Sequence, residues 1–552
     1  MMRVRLNWGQ IFGIGLALLA VACPPSVPCE TPLSGGDASG GAEYPVARLE
    51  WTEGVSRIAI SYPASSSGPP GSHVEGTHVP FADDLENAPV VILLHGNGGG
   101  GGDATYAGYS YLQNALARHG ITAVSIGGNP AFEWTADESV VRQVMYRLLA
   151  VPFRWRLNLQ NIGMMGHSAG GVRVKNIAAS PPPGMKVRAV LMLGTPGGAA
   201  AFPTVDGYLT VLPAAEGHGN CHGGASDPRC DGNPGYPDVP GAIEYDSKRP
   251  APFDAQLYVH RANDYSWNRA SLPDSTVSAV PPIFSAKHHE LILRSYATAF
   301  FRAILQDMPQ EPAAQLTFFR SQHGPISYLN GHRVPSLTSP ASPSTGVYGA
   351  TTVDPAGLVL SWRSTYLTTV DNYQQNNGAT ANSLGRPITS GLVMVEQDCR
   401  AGGCMGYAGR TRLLLLTAAC ASGAPTCPDA GYRTELGAAQ RNLRERAAVL
   451  IRAGEPFERD DVVPAVPARG VSFALGLEDT SGNIQWKNAD EVGGVPRPYA
   501  RNDIFGRWLL KTLRFPIDCF TDVDTRSIAA IHLMPINTDP GRQIAFDDLV
   551  LE

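Results

Sequence analysis

Five residues in the first half of the chain, Gly166-His167-Ser168-Ala169-Gly170, carry the strongest chemical signal. A short apolar run at 162–165 (IGMM) leads into this G-x-S-x-G pattern, and a segment of helical character follows it. A serine on a tight strand-to-helix turn has its hydroxyl lifted above the sheet edge, where it can serve as a nucleophile. Glycines two residues to either side fit, because side chains there would strike neighbouring backbone. The helix beginning at Ala169 points its first N–H groups at the same place and so favours developing negative charge. In a chain with 60 glycines the pattern alone is weak. The flanking strand and helix strengthen it.

A second segment strengthens it further. The run PVVILLHGNGGGGG at 89–102 reads as a strand ending in His95-Gly96-Asn97-Gly98. The loop after such a strand supplies one N–H group to an oxyanion, and the residue after the nucleophile supplies the other. Asn97 and Ala169 are therefore the expected oxyanion-hole donors.

These groups need a scaffold. From about 46 to 312 the chain alternates strand-like runs (56–62, 89–94, 121–126, 161–165, 187–193) with helix-like segments (109–119, 139–149, 169–178), the pattern of an α/β sheet with flanking helices. A final helix is expected to bury Leu293, Ala297, Phe300 and Ile304, which recur at helical spacing. Composition shifts near 306–314, and 313–552 reads as a second, all-β domain: short apolar runs, many turns, strands at 508–515, 527–534 and 544–551. The charged stretch 434–453 is the one place there where a helix is expected. At 552 residues the chain is too long for one core, so two or more domains are expected.

Residues 46–312 resemble the α/β-hydrolase superfamily, in particular secreted esterases of the cutinase, polyester-hydrolase and dienelactone-hydrolase kind. The resemblance rests on HGNGG, GHSAGG and the order of helices and strands. It implies cleavage of a small or polymeric carboxylic ester through an acyl-enzyme on Ser168, without a cofactor.

Such a serine needs a histidine base and an acid, and two registers compete for them. In one, the strand at 256–260 bears Asp264 as the acid, and His288 or His289 (AKHHE) is the base; its final strand would contain Pro281-Pro282, which disfavours a central ladder. In the other, 208–215 is the acid-bearing strand and 256–261 the last one. There the secreted esterases place an acidic loop and then a Gly-x-x-His turn, whereas this chain reads Glu216-Gly217-His218 and Arg261-Ala262-Asn263-Asp264, with acid and histidine exchanged. Both registers leave Asp264 on the catalytic face and His288 at the start of the final helix. The catalytic set is thus Ser168, Asp264 and His288, with His289 and His218 as alternates. The exchange also leaves open a second function: a non-catalytic, surface-binding lipoprotein that keeps the fold with a degraded triad. His218 and His222 flank Cys221, but two histidines without carboxylates at defined spacing call for no metal.

The N-terminus reads as an export signal: Arg3 and Arg5, an apolar run at 11–22, and Ala20-Val21-Ala22 before Cys23. The apolar run falls short of the about 20 residues a bilayer span needs. Small residues before a cysteine resemble a bacterial lipoprotein cleavage box, with signal 1–22 removed, Cys23 lipidated, and 23–45, rich in Pro, Gly and Ser, as a tether. Attachment to a membrane through that lipid is expected, with secretion or periplasmic release as the alternative. Eight further cysteines suit disulfides in an oxidising compartment, and Cys221/Cys230, Cys399/Cys404 and Cys420/Cys427 are close enough in sequence to pair. A net charge of −6 gives no reason to expect a nucleic-acid partner.

The all-β half opens near Val370-Asp371-Asn372-Tyr373 and closes at 544–549 (IAFDDL), a pairing that resembles jelly-roll modules of the carbohydrate-binding and galactose-binding type. The resemblance implies a fold better than a ligand. Shielding the enzyme and binding a glycan or other surface ligand both remain open, with Trp362, Tyr366 and Trp486 able either to stack on sugars or to fill a core.

Overall fold

The computed structural model describes residues 44–65, 79–96, 102–128, 137–195, 203–213, 251–259, 262, 265–270, 286–307, 358–365, 367–371, 392–396, 412–417, 431–455, 471–496, 499–501, 505–507, 510–536 and 542–552. Its first part is a nine-stranded sheet. In chain order the strands are β1 (Val46–Glu53), β2 (Ser56–Pro63), β3 (Ala88–Leu94), β4 (Thr122–Ile126), β5 (Leu157–His167), β6 (Val187–Leu193), β7 (Gly207–Pro213), β8 (Phe253–Val259) and β9 (Leu358–Ser364). They lie side by side as β1-β2-β4-β3-β5-β6-β7-β8-β9. The six from β4 to β8 are parallel, and β1, β2 and β9 add antiparallel edges.

Parallel strands joined by crossovers are covered on both faces and so read as unbroken apolar runs. β3 shows why. Val91 and Leu93 point into one core, Val90, Ile92 and Leu94 into the other, and all seven residues of the strand are buried. Helix α1 (Ser110–Arg118) and the last helix, α4 (Ala286–Arg302), cover the first face; α2 (Glu138–Arg147) and α3 (Ala169–Ala179) cover the second. The face expected of the final helix is the one buried: Leu293, Ala297 and Phe300 of α4 are inaccessible, as is Ile304 in the π-helical turn Ala303–Asp307 that follows it.

The remaining strands are antiparallel: β10 (Thr368–Asp371), β11 (Leu392–Glu396), β12 (Arg412–Thr417), β13 (Tyr432–Glu435), β14 (Ala448–Gly454), β15 (Ser472–Asp479), β16 (Ile484–Asn488), β17 (Tyr499–Arg501), β18 (Phe505–Arg507), β19 (Lys511–Pro516), β20 (Ile528–Ile536) and β21 (Gln543–Leu551). One sheet runs β11-β12-β21-β14-β19 with β10 also on β21, another β13-β20-β15-β16, and the pair β17-β18 stands apart. The two larger sheets share a core in which Phe473 meets Phe515 and Phe546. The opening and closing segments singled out in the sequence are neighbours: Thr369 pairs Val550, and Asp371 pairs Leu549.

The helix expected over 434–453 does not form. That stretch is the end of β13, a single 3-10 turn at Ala438–Gln440, an exposed charged connection, and β14, whose seven residues are all buried. A strand covered on both faces outweighs the helix propensity of its charged neighbours.

β9 ties the two parts together. It comes from the C-terminal half, yet it pairs along seven residues with β8 of the large sheet. Trp362 on β9 is buried in the same core as α4 and as Ala448 and Leu450 of β14, so it fills a core rather than offering a stacking surface. The Asp547-Asp548 pair of the closing strand is spent on this junction. Arg452 donates to Asp547 (2.8 Å) and to Ser361 Oγ (2.9 Å), and Arg363 donates to Asp548 (2.9 Å), where the backbone bulges at φ 46°.

Candidate functional site

β5 ends at His167, α3 begins at Ala169, and Ser168 between them takes φ 49° and ψ −123°. Among the described non-glycine residues only Asn87, Ser168 and Asp548 have positive φ. Such a conformation costs about 1–3 kcal/mol and persists only where the surroundings over-determine it. Here they do. The Ser168 N–H donates to the Leu193 carbonyl of β6 (2.8 Å), and its own carbonyl accepts from the Gly171 N–H (2.9 Å). Ser168 and Ala169 are both half-buried, in contrast to residues 161–167 before them, which are all buried.

The glycines around the serine are there because backbones meet. A Cβ on Gly166 would lie 2.4 Å from the Gly171 Cα, and one on Gly170 would lie 2.5 Å from the His95 carbonyl oxygen. The second contact brings the end of β3 onto the first turn of α3. Gly96 completes the approach: a Cβ there would fall 2.6 Å from the Ser168 Cβ and 3.3 Å from its Oγ. The two segments joined by sequence reasoning, HGNG and GHSAG, therefore touch at the serine itself.

Sequence reasoning missed three groups beneath this contact. His95 Nδ1 lies 2.6 Å from the Gly96 carbonyl. That oxygen can only accept, so the ring proton sits on Nδ1. Burial pushes the His95 imidazole down to about 4, with nearby His167 adding to the effect, so the ring is neutral. Its Nε2 is buried with no hydrogen-bond partner among the described residues. His167 Nδ1 in turn shares a hydrogen bond with the Tyr109 hydroxyl (2.7 Å). The two histidines were visible inside their motifs; nothing in the spacing pointed to Tyr109.

The segment leading into α1 links the serine elbow to the region after β8. Gly108 accepts from the Arg269 N–H (3.2 Å), the Thr105 carbonyl accepts from Asn268 Nδ2 (3.1 Å), and the Tyr111 hydroxyl donates to the Trp267 carbonyl (2.7 Å). Trp267 is fully buried, three residues beyond Asp264. Its ring stands edge-on to that of His289 in the first turn of α4, with centroids 4.6 Å apart. Arg269 and Glu290 close the same junction with an ion pair (2.7 Å). One chain of contacts thus runs from His167 through residues 105–111 to 267–269 and on to His289 and Glu290.

Of the residues expected to act, Ser168 and Ala169 stand together at the elbow. His289 is fully buried against Trp267. His288 belongs to the first turn of α4, but its side chain lies outside the described residues, as do Asn97, Asp264, His218, His222 and Tyr366. So do Cys23, the segment before it, and every cysteine proposed for a disulfide; Cys519 alone among the cysteines is described. β8 is the last parallel strand among the described residues, and β9 takes the position beyond it.

No family model matches the chain, and no curated protein matches it.

Proposed function

We propose that the protein is an exported serine hydrolase of the α/β-hydrolase type that cleaves carboxylic esters through an acyl-enzyme. The observation that carries this reading is the strained, half-exposed Ser168 at the junction of β5 and α3, with the Gly96 backbone pressed against it. Ser168 attacks the ester carbonyl, and its proton passes to a histidine, His288 on this reading, with His289 or His218 as alternates. The histidine returns the proton to the leaving alcohol, and Asp264 fixes its tautomer. The Asn97 and Ala169 N–H groups receive the oxyanion, where loss of one such donor typically costs about 10²–10³ in rate. The contacts joining α4 to residues 267–269 favour His288 over His218, because they bring the α4 first turn beside the segment that follows Asp264.

The same reading takes Cys23 as a lipid-bearing N-terminus that holds the enzyme at a membrane, and the antiparallel sheets as a jelly-roll-like unit. The test is labelling by a fluorophosphonate together with hydrolysis of a short p-nitrophenyl ester. The parent chain is expected to label and turn over, and Ser168→Ala to do neither. A folded parent that fails both assays makes the chain a binding protein with a disused elbow.

A further inference from the structure

Away from the serine, one surface exposes apolar side chains that the fold does not use. α2 ends at Arg147, a 3-10 turn covers Leu148–Ala150, and a second covers Arg154–Arg156 just before β5. Along this stretch Trp155 is 71% exposed, Leu149 49% and Tyr146 47%. Five large hydrophobic residues are exposed to this degree among the described residues, and three of them are here. Exposed apolar side chains concentrated in one ten-residue stretch mark an interaction site.

Its charge identifies the partner. The whole chain is net negative, yet no Asp or Glu occurs between Glu138 and Asp206. Arg142, Arg147, Arg154 and Arg156 lie in the same stretch of sequence as the three apolar side chains. Arg147 faces Glu53, and Arg156 has Glu86 at 3.9 Å. Arg142 and Arg154 donate to backbone carbonyls, of Ser180 and Leu149, so among the described residues no carboxylate offsets them. Trp and Tyr settle at the headgroup level of a bilayer, and arginines beside them reach lipid phosphates while their stems lie along the apolar surface. A second copy fits poorly, because a two-fold interface would set the same arginines against each other.

We infer that this patch docks the protein on an anionic phospholipid surface. Trp155 precedes β5 by two residues and Ser168 follows its end, so Trp155 and the serine lie at opposite ends of one strand, more than about 20 Å apart at ~3.3 Å per residue. Docking by this end turns the serine away from the bilayer, toward substrates in solution or on a facing surface. The inference does not depend on catalysis.

The test uses the full chain carrying Cys23→Ser, so that no acyl chain can hold it to a membrane. It is sedimented with vesicles of phosphatidylcholine alone, or of phosphatidylcholine mixed with phosphatidylglycerol. Binding to the mixed vesicles is expected to be tighter by about tenfold or more, and to weaken with salt. Arg154→Gln is expected to weaken it about fivefold and Trp155→Ala about tenfold, with unchanged melting curves, since both side chains are exposed. Equal binding to the two kinds of vesicle overturns the inference, as does full binding by Trp155→Ala. Absence of vesicle binding with a Trp155-dependent dimer in ultracentrifugation overturns it in favour of a second copy. Because sedimentation reads no turnover, a failed docking result and a failed hydrolase result are separable.

Discussion

Adding one methyl group at Gly96 tests whether the contact between the two loops is catalytic. A Cβ there would stand 2.6 Å from the Ser168 Cβ and 3.1 Å from the His167 carbonyl oxygen. Carbon atoms rest at about 3.5–4.0 Å, so one side must retreat by roughly 1 Å. Ser168 is poorly able to do so, since its N–H and carbonyl are bound to Leu193 and Gly171. The 95–96 backbone is therefore expected to yield, carrying with it the loop proposed to present the Asn97 N–H. A misplacement of about 1 Å is worth about 10²-fold in rate, similar to deleting one oxyanion donor. Gly96→Ala should thus lower kcat/KM for a p-nitrophenyl ester by about 10²-fold and slow fluorophosphonate labelling in step. Overpacking should cost only about 1–3 kcal/mol in a urea titration. Gly437→Ala is the control: its Cβ meets nothing nearer than 3.6 Å, and activity and stability should hold. A folded Gly96→Ala enzyme with parental kcat/KM would refute the argument, because the loop would then be free to move without consequence.

The junction between the two parts should be energetically large. Asp547 is fully buried against Arg452, so Asp547→Ala leaves a buried guanidinium short of a partner and is expected to cost about 3–5 kcal/mol by urea unfolding; the double change Asp547→Leu, Arg452→Met should recover most of it, and a cost near zero for the single change would show the pair to be idle. Stability should also fall on the acid side. His95 goes from an ordinary imidazole in the unfolded chain (about 6.5) to about 4 when folded, so the unfolded state binds the proton more readily; its contribution is present above pH 6.5 and lost as pH falls toward 4. Between pH 7 and pH 4.5 this amounts to about 2 kcal/mol, read as a shift in urea midpoint that His95→Gln should remove, and an equal pH dependence in both proteins would disprove it.

What was legible in the sequence, and what was not, divides by the distance over which a residue's role is decided. Gly166 is required by the backbone of Gly170 and Gly171, only a few residues away, so local spacing exposes it, whereas Gly170 is required by the His95 carbonyl, seventy-five positions earlier. β3 is legible for a similar reason: burial on both faces imposes an unbroken apolar run whatever lies beyond it. The stretch 434–453 misleads because its charged residues (Arg441, Arg444, Glu445) suit a helix, while the deciding fact is remote. β14 must pair with β19 and β21 and aim Arg452 at Asp547, ninety-five positions later. β9 shows the same limit. Residues 358–364 are not singled out as a strand in the sequence, and Arg363 meeting Asp548 and Ser361 meeting Arg452 fix them between β8 and the antiparallel sheets. The proposed acid and histidine fall on this remote side of the divide. His289 is set by Trp267 and Tyr109 by His167, pairs that no local period records. The strand-to-helix turn at Ser168 can therefore be found by reading along the chain, whereas any partners must be found by folding it; on the proposed reading, an exchanged Asp and His in linear order is compatible with a triad for as long as the α4 first turn and the residues 267–269 share one packed junction.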